Sequence, residues 1–156
     1  MWSRSTQRVI DAGRELGVSV EVAQFPSGTK TAADAAAAIG CDVSAIVKSL
    51  VFVVDGEPVV ALVPGDRRLD GPALGELAGG SEVARAPLDV VREATGYVAG
   101  GTPPFGHATS IRVFADHHLR RHETVWAAGG TPDTVFPIAV DDLARVTRAI
   151  WGSISQ

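Results

Sequence analysis

The chain has 156 residues, of which 46% are hydrophobic, and its formal net charge is −4. This composition fits one domain with a sizeable core, and the negative charge excludes a broad duplex-binding surface, which must neutralise many phosphates. It allows a small contact with one end of a nucleic acid. The one cysteine, Cys41, excludes an internal disulfide and a cysteine-based metal cluster. The sequence contains no apolar run of about 18 residues, the length of a membrane span, and it does not begin with a signal-peptide pattern. We therefore expect a cytoplasmic protein without a membrane partner.

Two helices and one strand are predicted at the beginning of the chain. Apolar residues recur at helical spacing over 6–16, and Val18–Phe25 alternates apolar and polar residues as a half-buried strand does. The capping pattern Thr31–Asp34 precedes an alanine-rich helix that ends at Ile39, where Gly40 supplies a stop signal. The alanines of this helix predict close packing against a neighbour.

A β-hairpin is predicted next. After a short apolar turn over Val43–Val47, two β-rich runs, KSLVFVV and PVVALV, flank the dipeptide Asp55-Gly56. Both residues of an Asp-Gly pair tolerate the positive φ that a type I′ turn requires. The sequence therefore predicts two antiparallel strands joined by this turn.

Short helices and strands alternate in the second half of the chain. Helices are expected around Pro72–Ala78 and Pro87–Ala94. Short strands, separated by turn-forming residues, are expected at Tyr97–Ala99, Ile111–Ala115, Thr124–Ala127 and Val135–Val140.

A last helix is predicted to begin at Asp141–Asp142, with Leu143, Val146 and Ile150 on one face and Gly152 beyond its end. Strands interrupted by helices, without repeats or linkers, predict an α+β fold. We expect residues 1–156 to form a single domain whose mixed, curled or barrel-like sheet is flanked by helices.

Familiar catalytic signatures are missing from the sequence, among them the nucleophile elbow, the Walker loop and the zinc-protease motif. Four histidines are candidate zinc ligands: His107, His117, His118 and His122. The stretch HHLRRH contains two arginines and no recognisable pattern of carboxylate ligands, which favours a solvated turn over a metal site. Cys41 has no paired base to generate its thiolate, so a small buried residue is the favoured interpretation.

Two further features can carry chemistry. Lys48 interrupts an apolar stretch, so its ammonium must either reach water at a sheet edge or project into a polar pocket. The loop GGTPPFGH, Gly100–His107, contains three glycines and two prolines, and its backbone N–H groups can approach a phosphate, a ribose or a carbonyl oxygen. On these residues alone, an edge lysine and an ordinary turn remain the alternatives.

Taken in order, these segments resemble the YbaK/ProX-like aminoacyl-tRNA deacylases, a family related to the editing domain of bacterial prolyl-tRNA synthetase. The resemblance extends from TAADAAAAIGCDVSAIVKSLVF through the hairpin and GGTPPFGH to VWAAGGTPDTVFPIAVDDL. The lysine-containing segment of the family matches Ile46–Phe52, and its glycine-rich loop matches Gly100–Gly106. The loop is thereby implied to be a wall of an editing pocket.

The resemblance implies a trans-editing hydrolase that deacylates mischarged aminoacyl-tRNA at the ester of the 3′-terminal adenosine. Lys48 and Gly101 are the implied catalytic residues, the first as a point charge and the second as a backbone donor to the ester carbonyl. The implied substrate-binding residues are Ser49, Gly100, Thr102, Pro103, Pro104, Gly106 and His107. Backbone groups or a ribose hydroxyl position the attacking water, so neither a metal nor another cofactor is expected. The expected partner is the acceptor end of an aminoacyl-tRNA, and an aminoacyl-tRNA synthetase is a further candidate.

The sequence departs from the family pattern at two places. Ala127–Gly130 reads AAGG where several relatives have a serine, and His107 stands where relatives often carry a lysine or another polar residue. These differences indicate a subfamily with its own pocket. The alternative function is a noncatalytic module that binds a tRNA end or a nucleotide beside a synthetase, since a fold can persist without activity. The presence of both Lys48 and the glycine loop favours catalysis over this module and over a structural scaffold.

Overall fold

The computed structural model describes residues 1–25 and 31–156. The helices within these ranges are α1 (Arg4–Glu15), α2 (Ala32–Ile39), α3 (Gly71–Ala78), α4 (Leu88–Thr95) and α5 (Val140–Thr147). The strands are β1 (Ala23–Gln24), β2 (Val47–Val54), β3 (Glu57–Pro64), β4 (Val83–Arg85), β5 (Arg112–Asp116), β6 (Thr124–Ala128), β7 (Thr134–Ala139) and β8 (Ile150–Gly152). Short 3-10 helices cover Val43–Ala45 and His117–Arg121. Across the described ranges, no helix has both the length and the apolar character needed to cross a bilayer.

The strands form two sheets that meet at the beginning of β2. One sheet has the order β4-β2-β3-β5-β8 and the other the order β1-β7-β6. The pairs β3-β5 and β5-β8 are parallel, whereas β2 pairs antiparallel with β3 and with β4. The larger buried cluster contains residues of both sheets and of α1, α4 and α5. The predicted α+β class, a mixed sheet flanked by helices, is confirmed.

The predicted hairpin is confirmed. β2 and β3 pair from Val47 opposite Pro64 to Val54 opposite Glu57. The two connecting residues both have positive φ, +49° at Asp55 and +83° at Gly56, as a type I′ turn requires. The hairpin fixes which side chains of β2 share a face, and that register decides where Lys48 and its neighbour point.

The predicted helix in front of the hairpin is also confirmed. The Thr31 hydroxyl accepts a hydrogen bond from the Asp34 N–H at 3.0 Å, and α2 ends before Gly40, whose N–H donates to the Ala36 carbonyl. Ala35 and Ala36 are buried with Ile46 in a small cluster. The short methyl side chains therefore let α2 pack closely against the beginning of β2, as the sequence predicts.

Two of the predicted strands are wrong: one is longer than the observed strand, and the other is not a strand. The predicted strand Val18–Phe25 is too long, since β1 contains only Ala23 and Gln24 of these residues. At its predicted beginning, the Val18 N–H donates to the Gly13 carbonyl after α1, and the Val18 side chain packs in the core. Tyr97–Ala99 is not a strand. The Thr95 hydroxyl accepts the Tyr97 N–H at 3.1 Å and donates to the Tyr97 carbonyl at 3.2 Å, so the chain turns here and bonds locally.

The last predicted helix is too long. α5 ends at Thr147, and Arg148 takes a left-handed conformation with φ +52°. Ile150, predicted on the apolar face of the helix, instead begins β8 and pairs with Phe114. A three-residue edge strand carries too little alternation to distinguish it from the end of an amphipathic helix. The equally short β4 was missed for the same reason.

The buried carboxylate of Asp116, the last residue of β5, contributes to stability, and this contribution can be tested. Burial alone would raise the pKa of this carboxyl, but hydrogen bonds from His118, Ser155 and the Ile154 N–H outweigh that effect and hold the pKa below its usual value. The stabilisation is present in full above the ordinary aspartate pKa of about 3.9 and is lost as the pH falls through the lower folded-state value.

We expect Asp116→Ala to lower the free energy of unfolding by about 2 kcal/mol at neutral pH, because it leaves buried donors without their acceptor. Urea unfolding at pH 7 measures the effect. Asp11→Ala is the matched control, since Asp11 is exposed and its ion pair with Arg14 is 3.7 Å long; a change of more than about 0.5 kcal/mol is not expected there. Equal effects of the two substitutions would contradict the argument.

Candidate active site

A cleft lies where the two sheets separate. Within the described ranges, β4 pairs with β2 at Phe52–Val54, and β6 meets the beginning of β2 at one bridge, Ile46 to Trp126. The Ala86 N–H also donates to the Val51 carbonyl at 3.1 Å, so Val47–Leu50 is the stretch of this edge of β2 that has no strand partner among the described residues. The cleft along this edge has a volume of about 270 Å³, and its lining includes Thr31, Ala32, Ala35, Ile46, Val47, Lys48, Ser49, Leu50, Gly100, Thr102, Trp126, Ala127, Ala128, Pro132, Thr134 and Val135.

Ser49 offers the cleft an unused hydroxyl. Its Oγ is buried and has no hydrogen-bond partner among the described residues. Ser49 stands opposite Leu62, which is buried in the larger core cluster, so the serine side chain lies on the face of β2 that looks toward the second sheet. It also lines an adjoining hollow of about 220 Å³ together with Gly100, Thr102 and Arg85. A buried hydroxyl without a partner is costly for the free protein, and a ligand in the cleft can relieve that cost.

Lys48 lines the same cleft, and its ammonium rests on a backbone carbonyl outside the glycine loop. The lysine pairs with Val63, and its Nζ donates to the backbone carbonyl of Arg67 in the connection between β3 and α3. Burial lowers the pKa of the half-buried Lys48 ammonium, and the nearby Asp66 carboxylate partly offsets that effect. The structure thus brings Lys48, Gly100 and Thr102 to one cleft. The Arg67 carbonyl holds the Lys48 ammonium in place.

The glycine loop contributes to this cleft through two of its residues. Gly100 and Thr102 line it, and the buried Thr102 hydroxyl donates to the Val98 carbonyl at 3.0 Å. Gly101 does not line the cleft, and its N–H donates to the same Val98 carbonyl at 3.0 Å. The implied role of Gly101 as an oxyanion donor therefore meets a geometric objection, because its N–H is already engaged inside the turn.

The rest of the loop faces elsewhere. Pro104, Gly106 and His107 line a separate hollow against α1 and α5. The His107 Nε2 lies 2.8 Å from the Pro103 carbonyl, and burial lowers the pKa of the His107 ring. The structure does not bring Pro103, Pro104, Gly106 or His107 to the Lys48 cleft. It gives them a local role in closing the loop.

Sequence reasoning missed the far wall of the cleft. Trp126, Pro132 and Thr134 lie there, beside Ala127 and Ala128. The two alanines depart from the family pattern, and this departure is the signal in the sequence that points to this wall. The others come to the cleft through pairing of β6 with β7, which the sequence of neither strand specifies alone.

The histidines and the cysteine are engaged elsewhere. His118 Nδ1 lies 2.7 Å from the Asp116 carboxylate, and His122 Nε2 lies 2.9 Å from the Ser44 hydroxyl. In the part of the chain that the structure describes, no three histidine, cysteine, aspartate or glutamate side chains converge as metal ligands would. Cys41 packs against the cluster that holds α2, and partial burial raises the pKa of its thiol.

Comparisons with known proteins place this geometry in a family. Residues 26–146 match the aminoacyl-tRNA editing domain. A proline–tRNA ligase of Maridesulfovibrio salexigens is 43% identical over 102 residues, which are 65% of this chain and 17% of the ligase. The uncharacterised protein YwhH of Bacillus subtilis is 32% identical over 133 residues, 84% of each chain. The chain thus spans about a fifth of the ligases that it matches and most of YwhH.

A solved structure of a proposed trans-editing enzyme for prolyl-tRNA synthetase superposes with a TM-score of 0.94 and 38% identity, covering 100% of this chain and 99% of the other. The chain therefore belongs to the aminoacyl-tRNA editing domain family.

Proposed function

We propose that this chain acts in trans on tRNA that carries a wrong, small amino acid, and that the tRNA is the one charged by prolyl-tRNA synthetase. The reaction is hydrolysis: water adds to the ester carbonyl, and the bond to the 3′-terminal adenosine breaks to give the free amino acid and an uncharged tRNA. Similarity over the full chain to a proposed trans-editing enzyme supports action as one domain of 1–156. We expect the protein to work in the cytoplasm, where tRNA is charged, with the synthetase as a further partner.

The observation that carries the proposal is that two neighbouring residues of β2, Lys48 and Ser49, line one cleft. The Lys48 ammonium supplies a positive charge for the terminal phosphate or for the ester region, and the unpartnered Ser49 hydroxyl supplies a hydrogen bond. Neither needs to act as a nucleophile, because a water held by backbone groups or by a ribose hydroxyl can attack the ester.

The dimensions of the cleft support a small aminoacyl group. Its volume of about 270 Å³ lies just below the range of about 300–1,000 Å³ that is usual for ligand pockets. Ala35, Ile46 and Trp126 make the lining largely apolar. Such a pocket excludes larger side chains by contact, whereas it separates side chains differing by one methylene by only about 1–3 kcal/mol.

A deacylation screen tests the proposal. Proline-specific tRNA charged with glycine, alanine, serine, cysteine or proline is incubated with purified protein, and the ester remaining is measured with time. We expect release of a small amino acid and retention of proline. Binding of charged tRNA without release would favour the noncatalytic tRNA-end module, and equal release from every tRNA would contradict the proposed pocket.

Hydrolysis should survive both metal removal and loss of the thiol. We expect unchanged rates after chelator treatment of the protein and return to magnesium buffer, because the ammonium, the hydroxyl and a positioned water need no bound metal. We expect the same for Cys41→Ala, since burial disfavours the Cys41 thiolate. Loss of activity that zinc restores would reinstate a metal site. Loss in a folded Cys41→Ala protein would reinstate a thiol role.

A further inference from the structure

We propose that Ser155 is a positioning residue for Lys48. Its hydroxyl accepts a hydrogen bond from the Arg67 guanidinium, and it thereby fixes the residue whose backbone carbonyl accepts the Lys48 ammonium. The catalytic consequence rests on the proposed function, because it requires Lys48 to act on the substrate. The contacts themselves do not depend on that function and can be tested separately.

The Ser155 hydroxyl has a defined donor and lies near a buried carboxylate. The Arg67 Nε donates to Ser155 Oγ at 2.6 Å, and the Arg67 Nη2 donates to the Ser155 carbonyl at 3.3 Å. The Ser155 side chain also lies close enough to the Asp116 carboxylate to lower the pKa of that carboxyl. Asp116 is fully buried and also accepts the Ile154 N–H at 3.0 Å. Ser155 therefore joins a surface loop to a rigid, buried charge.

The loop that carries the Arg67 carbonyl is bound to the same segment through its backbone. Arg68 and Gln156 exchange two hydrogen bonds of 2.9 and 2.8 Å, and the Asp70 N–H donates to the Ile154 carbonyl at 2.7 Å. Leu69 and Ser155 form an antiparallel bridge between these bonds. Residues 67–70 thus lie against residues 154–156 as a short ladder, and the Ser155 side chain is its link to Asp116.

This arrangement places Lys48 at the end of a continuous series of contacts. The ammonium bonds to the Arg67 carbonyl, the Arg67 side chain bonds to Ser155, and the Ser155 side chain lies near the Asp116 carboxylate. A lysine side chain has many rotamers, and holding its charge at one place requires a fixed acceptor. Without the Ser155 hydroxyl, the backbone ladder remains but the Arg67 guanidinium loses its anchor, so the ammonium acceptor becomes less fixed.

A lysine resonance gives a direct measurement. The chain has two lysines, Lys30 and Lys48, so Lys30→Arg protein labelled with ¹³C-lysine gives one lysine Cε signal, that of Lys48. We expect Ser155→Ala to move this signal and its titration midpoint, and Ser155→Thr, which keeps the hydroxyl, to restore both. Asp66 and Arg68 also act on the Lys48 charge and are unchanged in all variants. Ser153→Ala, an exposed serine in the same segment, is the matched control and should leave the signal in place.

Deacylation gives the second measurement. We expect Ser155→Ala to lower kcat about tenfold with little change in KM, because a displaced group near the reacting atoms affects the transition state more than ground-state binding. In a Lys48→Met background the same substitution should cause no further loss, since the residue that it positions is gone.

Two outcomes would overturn the positioning role: an unchanged Lys48 signal in folded Ser155→Ala protein, or a further kcat loss in the Lys48→Met background. If Ser155→Ala does not fold, Arg67→Gln replaces it, because that variant keeps the carbonyl and removes the guanidinium; it should move the signal in the same way, and an unchanged signal would overturn the proposal. If the wild-type protein deacylates no tRNA, the proposed function fails while the resonance measurement still decides whether Ser155 positions Lys48.

Discussion

Lys48→Met should reduce deacylation by about 100-fold and leave the fold intact. Methionine keeps an unbranched apolar chain where the half-buried lysine stem packs, so the main loss is the ammonium of a residue that lines the cleft. Removing a preorganised charge or hydrogen-bond donor from a site where transition-state charge develops costs about 100-fold or more in rate. Initial rates at substrate concentrations below KM, together with circular dichroism of the folded protein, measure the change.

The control removes one positive charge from the same sheet at a distance from the cleft. Arg112 on β5 is exposed and bonds to the Ala78 carbonyl, so Arg112→Met should leave the rate within about twofold while changing the net charge equally. A comparable rate loss in both variants would assign the effect to general attraction of tRNA. An unchanged rate in Lys48→Met would make the lysine an ordinary edge residue.

The elements that the sequence predicts correctly are those with a local physical cause. The hairpin follows from Asp55-Gly56, whose positive φ values select one turn type. α2 follows from the Thr31 hydroxyl cap and from Gly40 at its end. The elements that fail depend on distant partners. β8 exists because Ile150 pairs with Phe114, and no pattern within its three residues reports that pairing.

The same distinction applies to the residues of the site: those with a local signal in the sequence could be predicted, and those that depend on distant contacts could not. Lys48 stands out in the sequence because a charge inside an apolar run needs an explanation, and the structure brings it to a cleft with Ser49, Gly100 and Thr102. The acceptor of its ammonium, the Arg67 carbonyl, could not be predicted, since it depends on a loop that residues 154–156 hold in place. A family motif likewise marks the glycine loop without telling which of its residues face the cleft and which close the turn.

Gly101 matters for a different reason from the one that the motif implies. A Cβ at this position would lie 2.8 Å from the Thr131 Cα and 3.0 Å from the Gly130 carbonyl oxygen. These are backbone atoms of the turn before β7, and the turn is held by the bond from Gly129 N–H to the Thr134 carbonyl at 2.8 Å. The loop and this turn, which carries Pro132, are two walls of the cleft. Gly101 is therefore the point at which the walls touch.

We expect Gly101→Ala to lower deacylation about tenfold and Gly101→Val about 100-fold, because contacts this short with backbone force the two walls apart and displace the groups lining the cleft. Rates are measured well below each variant's Tm, so that loss of folded protein does not contribute. Gly71→Ala is the matched control: its Cβ would meet only Val83, at 3.8 Å, an ordinary contact, and it should be almost silent. Rates near wild type in both Gly101 variants would contradict the close contact of the two walls. A graded loss from alanine to valine would support close approach of the walls, whereas the argument against donation by the Gly101 N–H is its bond to the Val98 carbonyl.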